Sequence, residues 1–166
     1  MRRIAMLVLT IGLAVSTRAA EPNQACALLT TAELEAALGA TVSPLAAQEI
    51  PGKATVQMCT TKSANARVLL RIAKMKGGAG SSNAAAEGIE VARQMGAQVD
   101  VKTFGPITCS TMIPPKNMEQ MGFNTTCSVV KGTTVAAVEI TTKARKDLVP
   151  IEKVHPLAGK IAARVH

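Results

Sequence analysis

Thr55-Val-Gln-Met-Cys-Thr-Thr61, the polar turn Lys62-Ser-Ala-Asn65 and Arg67-Val-Leu-Leu-Arg-Ile-Ala73 are the runs on which the architecture turns. In the last of them Val68, Leu70 and Ile72 alternate with Arg67, Leu69 and Arg71, the period of a half-buried strand. With the turn before it, the pair reads as a β-hairpin. Cys59 has the opposite parity from Val56 and Met58, so its sulfur is expected on the other face of the sheet. A helix carrying Cys26 would fit there.

That helix is written upstream, in Cys26-Ala-Leu-Leu-Thr-Thr-Ala-Glu-Leu-Glu-Ala-Ala-Leu-Gly39. Thr30 is placed to cap it and Glu33 to reach back to the Thr30 amide, which makes a capping box. Leu29 and Leu34 hold the positions of a hydrophobic staple, and Gly39 supplies a left-handed stop. Leu34, Ala37 and Leu38 form its apolar stripe.

Downstream, Gly77-Gly-Ala-Gly-Ser-Ser82 leads into a second helix, about Asn83 to Met95, ending at Gly96. Its face of Ala85, Gly88, Ile89, Ala92 and Met95 is small, which predicts close packing on a sheet. Strands are expected around Val99–Phe104, Phe123–Val130 and Thr133–Thr142, the last two joined at Lys131-Gly132. Thr111 to Gly122, with Pro114-Pro115, reads as a long loop whose ends a Cys109–Cys127 bridge would tie. Ile151, Val154, Leu157, Ala158, Ile161, Ala162 and Val165 then give a third, amphipathic helix, with Pro150 near its start and Pro156 as a possible kink. The expected fold is α+β: a mainly antiparallel sheet with three helices packed on it and two disulfides.

The run from Cys26 to Gly39 resembles a motif of small secreted bacterial proteins, C-x-L-L-T-x-x-E-x-x-x-x-L-G. These are envelope or lipoprotein-like domains of unknown function. A later strand cysteine and a closing amphipathic helix, here Leu157 to Val165, are similar as well. The resemblance implies an α+β domain with a first disulfide like Cys26–Cys59, and it carries no catalytic residues. This chain differs in lacking a lipobox and an aromatic residue near Cys59.

The chain begins Met1-Arg2-Arg3, runs apolar from Ile4 to Val15, and turns polar at Ser16-Thr-Arg-Ala-Ala-Glu-Pro22. That is the pattern of a secretory signal peptide, and its apolar core falls short of the roughly 20 residues of a spanning helix. Residues 1–20 are therefore read as a signal peptide and residues 21–166 as one domain, with cleavage after Ser16, Ala19 or Ala20. The mature protein is expected to be soluble, and periplasmic or extracellular. Over 166 residues the net charge is +8, but removal of Arg2, Arg3 and Arg18 lowers it to +5. The remaining cations are scattered, whereas nucleic-acid binders gather theirs on one face. There is no Trp, no Tyr, and Phe only at 104 and 123. Base-stacking platforms, sugar-stacking sites and aromatic cages all need more rings.

Four cysteines, Cys26, Cys59, Cys109 and Cys127, predict two disulfides in an exported chain. Three connectivities are open and spacing does not choose among them; sequential pairing, Cys26–Cys59 and Cys109–Cys127, is carried forward. No C-x-x-C exists for zinc or redox work, and His155 is the one internal histidine. A Ser–His–acid triad would have to use His155, and no nucleophile turn accompanies it. The Gly77–Ser82 run fits neither phosphate-loop pattern, though its amides could meet an anion. Met112, Met118 and Met121 offer the one sharp metal reading, soft thioether ligands for Cu(I), against the plainer role of flexible apolar fillers.

The sequence thus predicts an exported binding or accessory protein of the bacterial envelope, with no catalytic residues, cofactor, nucleic-acid partner or membrane span. The expected partner is an envelope protein or a small ligand. The alternatives are a periplasmic Cu(I)-binding protein using Met112, Met118 and Met121, and a hydrolase of unidentified residues.

Overall fold

The computed structural model describes residues 23–50, 55–75 and 80–165. Residues 1–20, read above as a signal peptide, lie outside them, as do Gly77 to Ala79 of the glycine-rich run. Seven strands form one antiparallel sheet: β1 (Ala46–Gln48), β2 (Val56–Lys62), β3 (Ala66–Lys74), β4 (Gln98–Phe104), β5 (Ile107–Ile113), β6 (Phe123–Lys131) and β7 (Thr134–Thr142). Their order across the sheet is β1-β2-β3-β7-β6-β5-β4. The helices are α1 (Thr31–Leu38), α2 (Gly80–Gln94) and α3 (Ile151–Arg164), with short 3₁₀ turns at Gln24–Ala27, Lys116–Met121 and Arg145–Asp147. The protein is α+β.

The period of two noted in Arg67–Ala73 places the core. Cys59, Leu70, Val138, Cys127 and Cys109 are successive cross-strand partners, and all are fully buried. This row crosses five strands, and both disulfides grow from it. Cys109–Cys127 bridges two neighbours within the row, and Cys59 leaves it to reach Cys26 in the first 3₁₀ turn. The sequential connectivity is the observed one. Cys109–Cys127, however, does not close the ends of a loop. It joins directly opposed residues of β5 and β6, and β5 occupies the first part of what reads as loop in the sequence.

Over this face lies α3, across β5, β6 and β7, burying Ile151, Val154, Leu157, Ala158 and Ile161. Pro150 is its N-cap, and the helix runs through Pro156 unbroken. With Pro156 in the second turn, the ring removes one hydrogen bond near the helix start. Helix α1 packs on α3, and its ends are as the sequence implies. The Thr30 hydroxyl accepts from the Glu33 amide at 3.2 Å, the Thr30 amide donates to Glu33 Oε2 at 2.8 Å, and Gly39 sits at φ +66°.

Helix α2 departs from expectation. It is longer than Asn83–Met95 and meets the sheet chiefly at the edge strand β4. Between Ala86 and Gln94 no side chain is buried; Ile89 and Ala92 are half covered and Val91 is exposed. Of the three helices, α3 lies across β5, β6 and β7, α2 meets β4, and α1 packs on α3. The small residues Gly88 and Ala92 of α2 face the end of β5 and the turn after it across an open gap instead of closing on the sheet.

Glu33 serves two structures at once. Besides the cap, its two oxygens accept from Arg164 at 2.8 Å, and Lys160 stands 3.3 Å away. Arg164 also donates to the Leu28 carbonyl at 2.7 Å, so the last turn of α3 is fastened to the start of α1. These contacts hold the Glu33 carboxyl down at about 2, the Arg164 hydrogen bonds first among the causes, against a smaller opposing effect of burial. Between the ordinary value of 4.5 and about 2 the unfolded chain binds the extra proton, so stability falls as pH drops through this window. Urea unfolding of the wild type and Glu33→Gln checks this. The stability gap between them should be full above about pH 5 and nearly closed near pH 2; a constant gap contradicts the assignment.

Candidate functional site

At the corner where α2, β5 and the Lys116–Met121 turn meet, the structure leaves an apolar groove of about 210 Å³. Its position follows from strand parity. On β5, Ile107 and Cys109 face the core, so Met112 faces the opposite side of the sheet, paired with Val99 and Asn124. Pro114 and Pro115 then end the strand, and the chain coils into a 3₁₀ turn in which the Met118 amide donates to the Pro115 carbonyl at 2.8 Å. A 3₁₀ turn has three residues per revolution, so Met118 and Met121 come onto one side. Both line the groove, with Met112.

Helix α2 supplies the other wall through Gly88, Val91, Ala92 and Met95. Four methionines therefore converge. Met95, which the sequence suggests only as a packing residue of α2, completes the set. Its exposure is 53%, that of Val91 54% and that of Met121 60%, and these are three of the five large exposed hydrophobics among the described residues. The apolar surface is gathered here instead of scattered, which is the mark of an interaction site.

Gly122 holds the turn in place. Its φ of +87° and ψ of +166° lie where essentially only glycine is found. A Cβ there would stand 2.6 Å from Thr141 Cγ2 and 3.0 Å from the Thr142 carbonyl oxygen. The turn thus runs tight against β7, and the groove depends on that approach.

No ionisable side chain lines the groove. Glu119 and Lys116 lie on the same turn but do not enter it. All four cysteines are in disulfides. His155 is on α3, where its ring packs on Phe104 with centroids 4.2 Å apart. Beside it Lys102 of β4 donates to Glu152 at 2.8 Å, an exposed pair of small energetic weight. Among the described residues there is no cluster of three His, Cys, Asp or Glu side chains that could hold a metal ion. No helix among them is long and apolar enough to cross a membrane.

The chain matches no family model and no curated protein. The two disulfides fit a protein of an oxidising compartment.

Proposed function

We propose that this is an exported accessory protein of the bacterial envelope that acts by binding, without catalysis, and that its methionine groove takes a small apolar group. The groove carries the reading. Thioether side chains are flexible and polarizable, and they suit a surface that must adapt to its ligand. The volume sets the ligand's size. Drug-sized molecules need roughly 300 Å³ or more, whereas an apolar cavity of about 150 Å³ holds a benzene ring. A groove of about 210 Å³ suits one ring or a short acyl segment. The basic start, apolar run and polar exit of residues 1–22, together with the disulfides, support export.

The neutral dye N-phenyl-1-naphthylamine, whose phenyl ring is the part sized for the groove, tests this, and the absence of Trp and Tyr removes most background fluorescence. Dye binding should be saturable, displaced by octanol, and weakened about tenfold in Met118→Gln/Met121→Gln, the loss of about 1.4 kcal/mol of apolar contact. Val130→Gln, at an exposed apolar position on β6, should bind like the wild type. Equal binding by both variants would sink the groove as the site.

A second reading is favoured by the convergence itself. Met112, Met118 and Met121, with Met95, present soft donors of the kind Cu(I) prefers. In a Cu(I) competition titration under reducing conditions, this reading requires the wild type to bind more tightly than Met118→Leu/Met121→Leu. Equal affinity eliminates it.

A further inference from the structure

A larger cavity lies toward the β1–β2 side of the sheet, around the turn between β2 and β3. It is an open cleft of about 660 Å³, within the roughly 300–1,000 Å³ range of ligand sites. Strand register explains its character. Lys62 on β2 is the direct cross-strand partner of Arg67 on β3, and Arg67 is the partner of Thr141 on β7. Both cations are exposed, and Lys143, two residues past Thr141, also lines the cleft.

Like charges placed directly opposite on neighbouring strands destabilise a sheet. A carboxylate between them would relieve the repulsion, yet no Asp or Glu lines the cleft. The ion pairs seen among the described residues use Lys102, Lys160 and Arg164 instead. Around the three cations the walls offer neutral donors, among them Ser43, Thr60 and Asn65. Two opposed cations, a third at the rim and walls that no carboxylate lines, Glu139 being engaged by the Thr141 hydroxyl at 3.4 Å outside the lining, form a receptor for negative charge. We infer that this cleft binds a small polyvalent anion bearing phosphate or carboxylate groups. Arg67 presents a planar fork to two oxygens, and Lys62 and Lys143 neutralise the remaining charge. The site is independent of the methionine groove and differs from it in chemistry.

Calorimetric titration at about 0.15 M salt, where exposed charges more than roughly 8 Å apart are screened, tests the assignment. The probes are inorganic pyrophosphate and citrate, whose comparison separates a phosphate ligand from a carboxylate one. At least one should bind with one-to-one stoichiometry, and Lys62→Gln/Arg67→Gln should weaken it about tenfold or more. Lys116→Gln/Lys153→Gln, which removes two exposed cations outside the cleft, should leave it unchanged. Without ligand, Arg67→Gln should melt no lower than the wild type, because it relieves the opposed pair. The inference fails if neither probe saturates, or if both double variants weaken binding alike. It fails equally if only a long polymer such as polyphosphate binds, which would assign the cations to a diffuse surface.

Discussion

Replacing Cys26 and Cys59 together by alanine is expected to cost about 4 kcal/mol of stability. The bridge spans a sequence separation of 33 residues, and the chain-entropy estimate for a loop of that length is just under 4 kcal/mol. Cys59 is also fully buried in the central cross-strand row, so the lost sulfur leaves a packing defect. Cys109→Ala/Cys127→Ala opens a shorter loop, separation 18, and should cost about 3 kcal/mol. The two deletions should also differ in kind. The first releases the Gln24–Ala27 turn from β2, where Asn23 Nδ2 donates to the Met58 carbonyl at 3.0 Å. The second leaves β5 and β6 joined by their strand ladder. Urea unfolding followed by far-UV circular dichroism measures both, since the chain has no Trp or Tyr to report by fluorescence. A cost under about 1 kcal/mol for the first pair would mean that the core holds without its staple.

Gly122→Ala is expected to cost about 3 kcal/mol, more than most surface substitutions. Two penalties add. An L-residue at φ +87° and ψ +166° is strained by roughly 1–3 kcal/mol, and a Cβ 2.6 Å from Thr141 Cγ2 forces β7 and the turn apart. The second penalty has a functional consequence. Moving the Lys116–Met121 turn displaces Met118 and Met121 from Met95 and Met112, so dye affinity should fall with stability. Gly132→Ala is the comparison, because its φ is +59° but nothing lies within 4 Å of a Cβ there. It should carry the strain alone and leave the groove intact. Equal losses of binding in the two variants would show that the Gly122 approach does not shape the groove.

The elements best legible in the sequence are those whose signals are local. The Thr30–Glu33 box, the Gly39 stop and the alternation of Val68, Leu70 and Ile72 all lie within a few residues of what they determine. The β1 strand escaped because its three residues, Ala46 to Gln48, are all exposed and have no pattern to show. β5 was hidden by composition: Thr108, Ser110 and Thr111 mask the alternation of Ile107 and Cys109. The second duty of Glu33 could not be read at all, since Arg164 is 131 residues away. Likewise Lys62 and Arg67 are two scattered cations in the sequence, and the hairpin register makes them neighbours. Met112, Met118 and Met121 were conspicuous by spacing, whereas Met95 joins them only because α2 turns back beside the β4 edge.

Whether the methionine groove receives an apolar ligand is measured most directly by an NMR titration of protein carrying ¹³C-labelled methionine methyl groups, with octanol as the ligand. Met95, Met112, Met118 and Met121 should shift together along one saturable curve while Met58, on β2, stays fixed. Shifts spread evenly over all the methionines, or absent from these four, would mean that the groove is not where the ligand sits.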